Sequence, residues 1–203
     1  MASRVTLISS QEYQVMPWKN GGGVSTELAI YPKKSNFSES FDWRISLALI
    51  KGSGPFSTFS GYDRVIIQFK GNPMQLNHLN QPSHQLRPLV PYYFQGDWIT
   101  EGVLQGGEAQ DFNVMTKRSR YQSSVECLSM KSDCKEIHPR GDFCFVWAMQ
   151  GEIRLKVEQQ EFALSHQASL LIEKASQAKI QVDGAAGTLF IVHLTLDINA
   201  IAR

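Results

Sequence analysis

The sequence predicts an all-β chain of many short strands, folded as a sandwich or barrel. Three observations carry that prediction. Apolar runs are short, β-branched or aromatic, and broken by Gly, Pro, Asn and Ser. No segment sustains helical periodicity beyond about three turns. The strand pattern also recurs weakly about 80 residues later, as two copies of one module would.

In chain order, the expected strands of the first half are Thr26–Ile30, Phe41–Ile50, Val65–Lys70, Gln75–Leu79, Gly102–Leu104 and Asp111–Thr116. Those of the second are Ser124–Met130, Phe143–Met149, Glu152–Val157, Ser169–Ile172, Lys179–Val182 and Gly187–Thr195. Gln11–Met16 reads as one short helical turn. Pro32–Ser40, Asn77–Gln85, Lys117–Ser123 and Lys131–Gly141 read as polar loops. The domains are expected at 1–120 and 121–203.

The repeat rests on ordered anchors. Val65–Gly71 resembles Phe145–Gly151, 80 positions on, and Arg44–Leu49 is strand-like as is Ser124–Ser129 at the same offset. Gly106 with Phe112-Asn113-Val114 matches Gly184 with Phe190-Ile191-Val192 at an offset of 78. Alternate strand residues share a face. Phe112/Val114 and Phe190/Val192 then form a shared packing face. The opposite face carries Asp111, Asn113 and Met115 in copy one, but Leu189, Ile191 and His193 in copy two. Arg44 and Ser46 likewise share one face. A polar interior in the first half and a filled one in the second places ligand chemistry in the first.

Composition narrows the function. The 203 residues hold 20 Lys+Arg against 19 Asp+Glu, a net charge of +1, which disfavours nucleic acid as the main partner. Apolar residues at 42% fit a folded chain. Cys127, Cys134 and Cys144 are odd in number and lack CxxC spacing, which points to a reduced, cytoplasmic setting. No signal peptide is expected in Met1–Tyr13, and no run reaches the roughly 18 apolar residues of a membrane span. His78, His84, His138, His166 and His193 show neither HxH nor HxxxH spacing, so no metal and no cofactor is expected. His78 and His84 are expected in solvent.

Three segments can carry chemistry. Met16-Pro17-Trp18-Lys19-Asn20-Gly21-Gly22-Gly23 is either an anion-binding nest of backbone N–H groups or a tight turn with Trp18 as a core plug. Arg44 and Arg64 interrupt apolar strands. An inward guanidinium needs a partner, either an internal acid such as Asp97 or Asp111, or a ligand carboxylate. Asp111-Phe112-Asn113-Val114-Met115-Thr116-Lys117-Arg118 places Asp111 and Asn113 on one face. The basic run Lys117-Arg118-Ser119-Arg120-Tyr121 reads as a solvated loop rather than an RNA contact.

Pro17–Gly23, Asp42-Trp43-Arg44-Ile45-Ser46, Gly54-Pro55-Phe56-Ser57-x-Phe59-x-Gly61-Tyr62-x-Arg64, Phe94-x-Gly96-Asp97 and Asp111–Thr116 with Arg118 together resemble the HutD/Ves family. The motifs stand in order across Met16–Arg118, and the rest is similar only as a β-rich half. The resemblance implies two fused cupin-like (RmlC-like) β-barrel, or jelly-roll, modules, a bicupin. It implies small-molecule binding with a regulatory role, in histidine utilisation for the HutD branch or in cold and stress response for the Ves branch. Family pocket motifs fall on Lys19, Asn20, Arg44, Arg64, Asp97, Asn113 and Arg118. The histidine–glutamate set of metal cupins is missing, so oxygenase chemistry is not carried over.

The leading expectation is a binding protein whose first module encloses a small organic anion, a carboxylate. Arg44 and Arg64 hold the charge, and Trp18, Lys19, Asn20, Asp97, Asp111, Asn113 and Arg118 complete the site. The alternative is a metal-independent enzyme acting on a small carboxylate or sugar-like substrate, with Asp97 or Asp111 as general acid or base. A third is a scaffold working through exposed strand edges. A homodimer is what fold analogy allows.

Overall fold

The structure is a computed structural model that describes residues 3–33, 40–131, 133–184 and 186–198. Residues 34–39 of the expected loop Pro32–Ser40, and Ser132 of the loop Lys131–Gly141, lie outside the described residues. The chain is all-β. Its strands are β1 (Arg4–Ile8), β2 (Gln14–Pro17), β3 (Gly23–Tyr31), β4 (Trp43–Ile50), β5 (Gly54–Pro55), β6 (Tyr62–Gly71), β7 (Met74–His78), β8 (His84–Gln85), β9 (Tyr92–Gln95), β10 (Thr100–Leu104) and β11 (Ala109–Lys117). There follow β12 (Tyr121–Met130), β13 (Lys135–Ile137), β14 (Phe143–Gln150), β15 (Ile153–Val157), β16 (Gln160–Leu164), β17 (Ser169–Glu173), β18 (Ile180–Gly184) and β19 (Gly187–Leu196). No described helix is long and apolar enough to cross a membrane.

The chain divides into two compact units. One spans Tyr13–Tyr121 together with Ile198–Arg203, and the other joins Met1–Glu12 to Gln122–Asp197. The first contains a six-stranded sheet, β2-β3-β4-β11-β6-β9, and a four-stranded sheet, β5-β10-β7-β8. Ala48, Ile50 and Ile66 of the larger sheet pack with Met74 and Leu76 of the smaller one. The second contains β1-β17-β14-β19-β12 and β13-β18-β15-β16. There Cys144, Val146, Leu189 and Ile191 pack with Leu155, Val157, Ile180 and Val182.

The two units share one plan. Replacing β4-β11-β6-β9 by β12-β19-β14-β17, and β5-β10-β7-β8 by β13-β18-β15-β16, matches eight strands of each unit, with β2 and β3 added beyond β4 in the first and β1 beyond β17 in the second. The pairing registers match as well. Arg64 opposes Met115, Ile66 opposes Asn113 and Gln68 opposes Asp111. In the second unit Cys144 opposes His193, Val146 opposes Ile191 and Ala148 opposes Leu189. Left-handed glycines recur at the same places, with φ of 80° and 92° at Gly61 and Gly141, and of 89° and 94° at Gly71 and Gly151. A Cβ on Gly71 would collide with the Glu108 carbonyl, and one on Gly151 would lie 2.8 Å from the Ala186 carbonyl. Both turns therefore exclude a side chain.

Several elements differ from the sequence reading. Gln11–Met16 is a 3₁₀ turn at Ser10–Glu12 followed by strand β2, because residues 14–17 pair with β3. His78 is buried rather than solvent-facing, since β7 alternation points Met74, Leu76 and His78 inward. Thr100 Oγ1 donates to the Trp98 carbonyl and so accepts from His78 Nδ1, while the Tyr92 hydroxyl donates to Nε2. His84 stacks on Tyr92 with ring centroids 3.7 Å apart.

Candidate functional site

The candidate site is a cavity of about 540 Å³ within the first unit. Its floor is the inward face of β4, β11 and β6. Register fixes the rows. Arg44 and Arg64 flank Met115, Ser46 and Ile66 flank Asn113, and Ala48 and Gln68 flank Asp111. Two neighbouring ladder spacings separate the arginine backbones by about 10 Å. The wall comprises Trp18, Lys19 and Asn20 from the β2–β3 turn, with Phe56, Ser57 and Phe59 following β5.

The glycines of the β2–β3 connection serve the turn. Gly21, at φ 70°, donates its N–H to the Trp18 carbonyl at 3.0 Å, and Gly22 donates to Asn20 Oδ1 at 3.0 Å. Those two groups are therefore occupied, and the nest alternative fails at Gly21 and Gly22. Gly23 is needed for close approach, because a Cβ there would strike the Leu49 carbonyl and press on the Trp18 ring. The turn thus seats Trp18 at the cavity, with its indole N–H donating to Ser25 Oγ at 2.8 Å.

The two arginines are not equivalent. Arg44 donates from Nε to Glu27 at 2.7 Å and from Nη1 to Ser46 Oγ at 3.3 Å. Glu27, which the sequence reading did not single out, is its internal acid. Only its place in a strand beside β4 could have signalled this, and a bulge between Glu27 and Ala29 obscures that register. Arg64 is 8% exposed, and among the described residues no acid lies within ion-pair distance of it. Its Nη1 donates to the Ser57 carbonyl at 3.3 Å and its Nη2 to Asn113 Oδ1 at 3.4 Å, while its buried Nε has no hydrogen-bond partner. Its guanidinium carbon lies 4.9, 5.5 and 5.7 Å from the ring centroids of Phe94, Phe56 and Phe59, so the cation sits in an aromatic cage. Burial lowers its pKa to about 10, against an upward pull from Asp111.

Asp111 is fully buried. Its Oδ1 accepts from the Asn113 amide, and its Oδ2 has no partner among the described residues. Asn113 therefore stands between Arg64 and Asp111, accepting from one and donating to the other. Burial pushes the Asp111 carboxyl up to about 7, with Arg64 and the Asn113 hydrogen bond pulling the other way. Near neutrality this group exchanges a proton, and with Oδ1 committed as acceptor the proton belongs on Oδ2.

Of the sequence-selected residues, Trp18, Lys19, Asn20, Arg44, Arg64, Asp111 and Asn113 line this cavity. Asp97 and Arg118 do not. Arg118 Nη2 meets Asp97 at 2.7 Å and its Nε meets Asp63 at 2.8 Å, an exposed cluster that also ties Asp97 to the Gly61 N–H. The Arg118 hydrogen bond, then that of Gly61, holds Asp97 below its ordinary carboxylate value. Asp97 and Arg118 thus work as a strut, and neither is the internal partner of Arg44 or Arg64. Arg120 pairs with Asp42 at 3.3 Å, so the basic run is partly neutralised locally. On the matched face of the second unit Cys144, Val146, Leu189 and Ile191 belong to the hydrophobic core.

Tandem two-sheet β modules, one with a caged cation beside a hollow and the other with apolar residues on the matched face, define a duplicated all-β protein with a polar interior in its first module. The chain belongs to the HutD family, whose model matches residues 10–190. It is 38% identical over 124 residues to an uncharacterized 21.2 kDa protein in the hutC 3′ region of Pseudomonas putida, covering 61% of this chain and 64% of that one. It is 36% identical over 109 residues to protein Ves of Citrobacter koseri, covering 53% and 56%. Both matches span less than two thirds of the relatives' own length. The solved structure of HutD from Pseudomonas fluorescens superposes with a TM-score of 0.79 at 29% identity, covering 96% of this chain and 100% of that one.

Proposed function

We propose that this protein binds a small organic anion in its first module and acts as a regulatory sensor, in histidine utilisation or in stress response, as the HutD and Ves names of its relatives suggest. In the same reading each pair of sheets is a cupin-like barrel and the chain a bicupin. The observation that carries the proposal is Arg64, a buried cation with an unpartnered Nε beside a 540 Å³ cavity. A buried cation lacking an acid partner is costly, and an incoming carboxylate relieves that cost. Arg64 is the anchoring charge. Arg44, with its Nε held by Glu27, orients the neighbouring wall. Trp18, Phe56 and Phe59 cover the apolar part of the ligand. Two charged hydrogen bonds at about 1.5–3 kcal/mol each, offset by ordering costs, support micromolar affinity.

Calorimetry of wild type and Arg64→Met with histidine, urocanate and formylglutamate tests this. Binding by wild type and its loss in the variant are expected, and equal affinity in the two proteins would overturn the role given to Arg64. Asp111, with its carboxyl near 7, also favours a second reading as a metal-independent acid–base enzyme. Product formation from any of these acids in the presence of chelator, lost in Asp111→Asn, would establish it.

A further inference from the structure

Among the described residues that line the cavity, Arg64 has one candidate countercharge. Asp111 is that group, held one amide away through Asn113. The other charged and titratable groups around it are accounted for. From β4, Arg44 is paired to Glu27 of β3 at 2.7 Å. From β7, His78 is bound through both ring nitrogens to Thr100 and Tyr92 as a neutral imidazole. Lys19 stands on the exposed turn at the cavity wall. An anion arriving at Arg64 therefore meets one cation already facing one carboxyl, and two negative charges cannot share it in a buried setting.

We propose that the ligand anion and the Asp111 carboxylate compete for Arg64, so that the anion enters together with one proton, which settles on Asp111 Oδ2, and leaves as that proton is lost. The inference rests on the anion-binding reading above and adds its regulation. The proton comes from solvent, and no covalent bond changes. Net charge in the cavity is the same before and after binding. Asp111 acts here through Arg64 and is a positioning residue.

The test is calorimetry of the full chain with sodium acetate, glutarate and formylglutamate from pH 6 to pH 8.5, in two buffers of different ionisation enthalpy. Uptake of close to one proton per anion is expected at pH 8, shrinking toward none at pH 6, with affinity falling about tenfold per pH unit above the Asp111 titration. Asp111→Asn, which imitates the protonated acid, should bind with flat pH dependence and no proton uptake. Should that variant not fold, carbon NMR of the wild-type Asp111 carboxyl serves instead, and saturating anion should raise its titration midpoint. Wild-type binding that is independent of pH and buffer would overturn the proton coupling while leaving anion binding intact. Absence of binding at every pH would overturn the anion reading and this one with it.

Discussion

Two modules built to one plan put opposite contents on the same sheet face. Where the first carries Arg64, Asp111 and Asn113, the second carries Cys144, Leu189 and Ile191 at the matching register positions. Left-handed glycines recur at matched places, and the matched strands follow the same order in both. Backbone architecture is therefore independent of what fills the interior. In the second module the apolar face closes on its partner sheet and its burial supplies stability. In the first, the buried polar atoms left without a partner among the described residues include Arg64 Nε and Asp111 Oδ2, and a hollow remains. On the matched face of the second module the polar residue is His193, at the place of Met115. It accepts from the Arg140 N–H and faces Glu126 at 3.5 Å, with burial lowering its pKa, so it is satisfied within the module.

The sharpest way to break the comparison is to move one polar residue across. Leu189→Asp places a carboxyl in the second module where Asp111 stands in the first, but opposite Ala148, on a face where Cys144 takes the place of Arg64. Set among the apolar side chains of the core, it should destabilise by at least about 4 kcal/mol at pH 8. Urea unfolding measures this. A loss below 1 kcal/mol would mean that the second module tolerates buried charge as the first does.

Arg64→Met is expected to come next. It should weaken binding of a small carboxylate about a hundredfold or more, while the apolar side chain stays within the Phe56, Phe59 and Phe94 cage. Calorimetry reads the affinity and a melting curve reads the fold. Cys144→Ser, at the matched position, should leave affinity unchanged, because that side chain belongs to the other module's core.

Asp111→Asn sharpens the comparison through pH. The folded-state pKa of Asp111, about 7, lies above its ordinary 3.8, so the native state holds a proton that the unfolded chain releases earlier. The stability tied to that proton is fully present below pH 3.8 and is lost as pH rises through about 7. The amide should therefore raise the unfolding midpoint by about 5 °C at pH 8 and have little effect at pH 4. A gain of equal size at both pH values would mean that Asp111 does not titrate on burial.

Much of this contrast was legible in the sequence. The period of two separated Asp111 and Asn113 from Phe112 and Val114, and the matched glycines exposed the repeat, because a left-handed turn admits few other residues. The polar face of copy one and the apolar face of copy two were read at the right residues. Partners across strands were not legible. Glu27 reaches Arg44 only through the β3–β4 register and its bulge, which no local pattern encodes. The short strands β5, β8 and β13 carry too few residues for any periodicity. Arg4–Ile8 has strand composition, yet its place beside β17 depends on a partner more than 160 residues away. His78 was misplaced because Asn77–Gln85 is polar, while its alternation with Met74 and Leu76 points inward.

Asp97 provides the smallest expected effect and tests where the polar interior ends. Its carboxylate sits outside the cavity, tied to Arg118 at 2.7 Å and to the Gly61 N–H at 3.0 Å, with both side chains more than a third exposed. Solvent screens such a pair, and exposed ion pairs contribute little to stability. Asp97→Asn keeps the shape and removes the charge. Ligand affinity should remain within twofold of wild type, and the unfolding midpoint should drop by no more than about 2 °C, less in high salt. A larger loss of affinity would extend the binding machinery beyond the inward faces of β4, β6 and β11. The boundary drawn here by burial, with Arg64 and Asp111 inside and Asp97 and Arg118 outside, would then have to be moved outward.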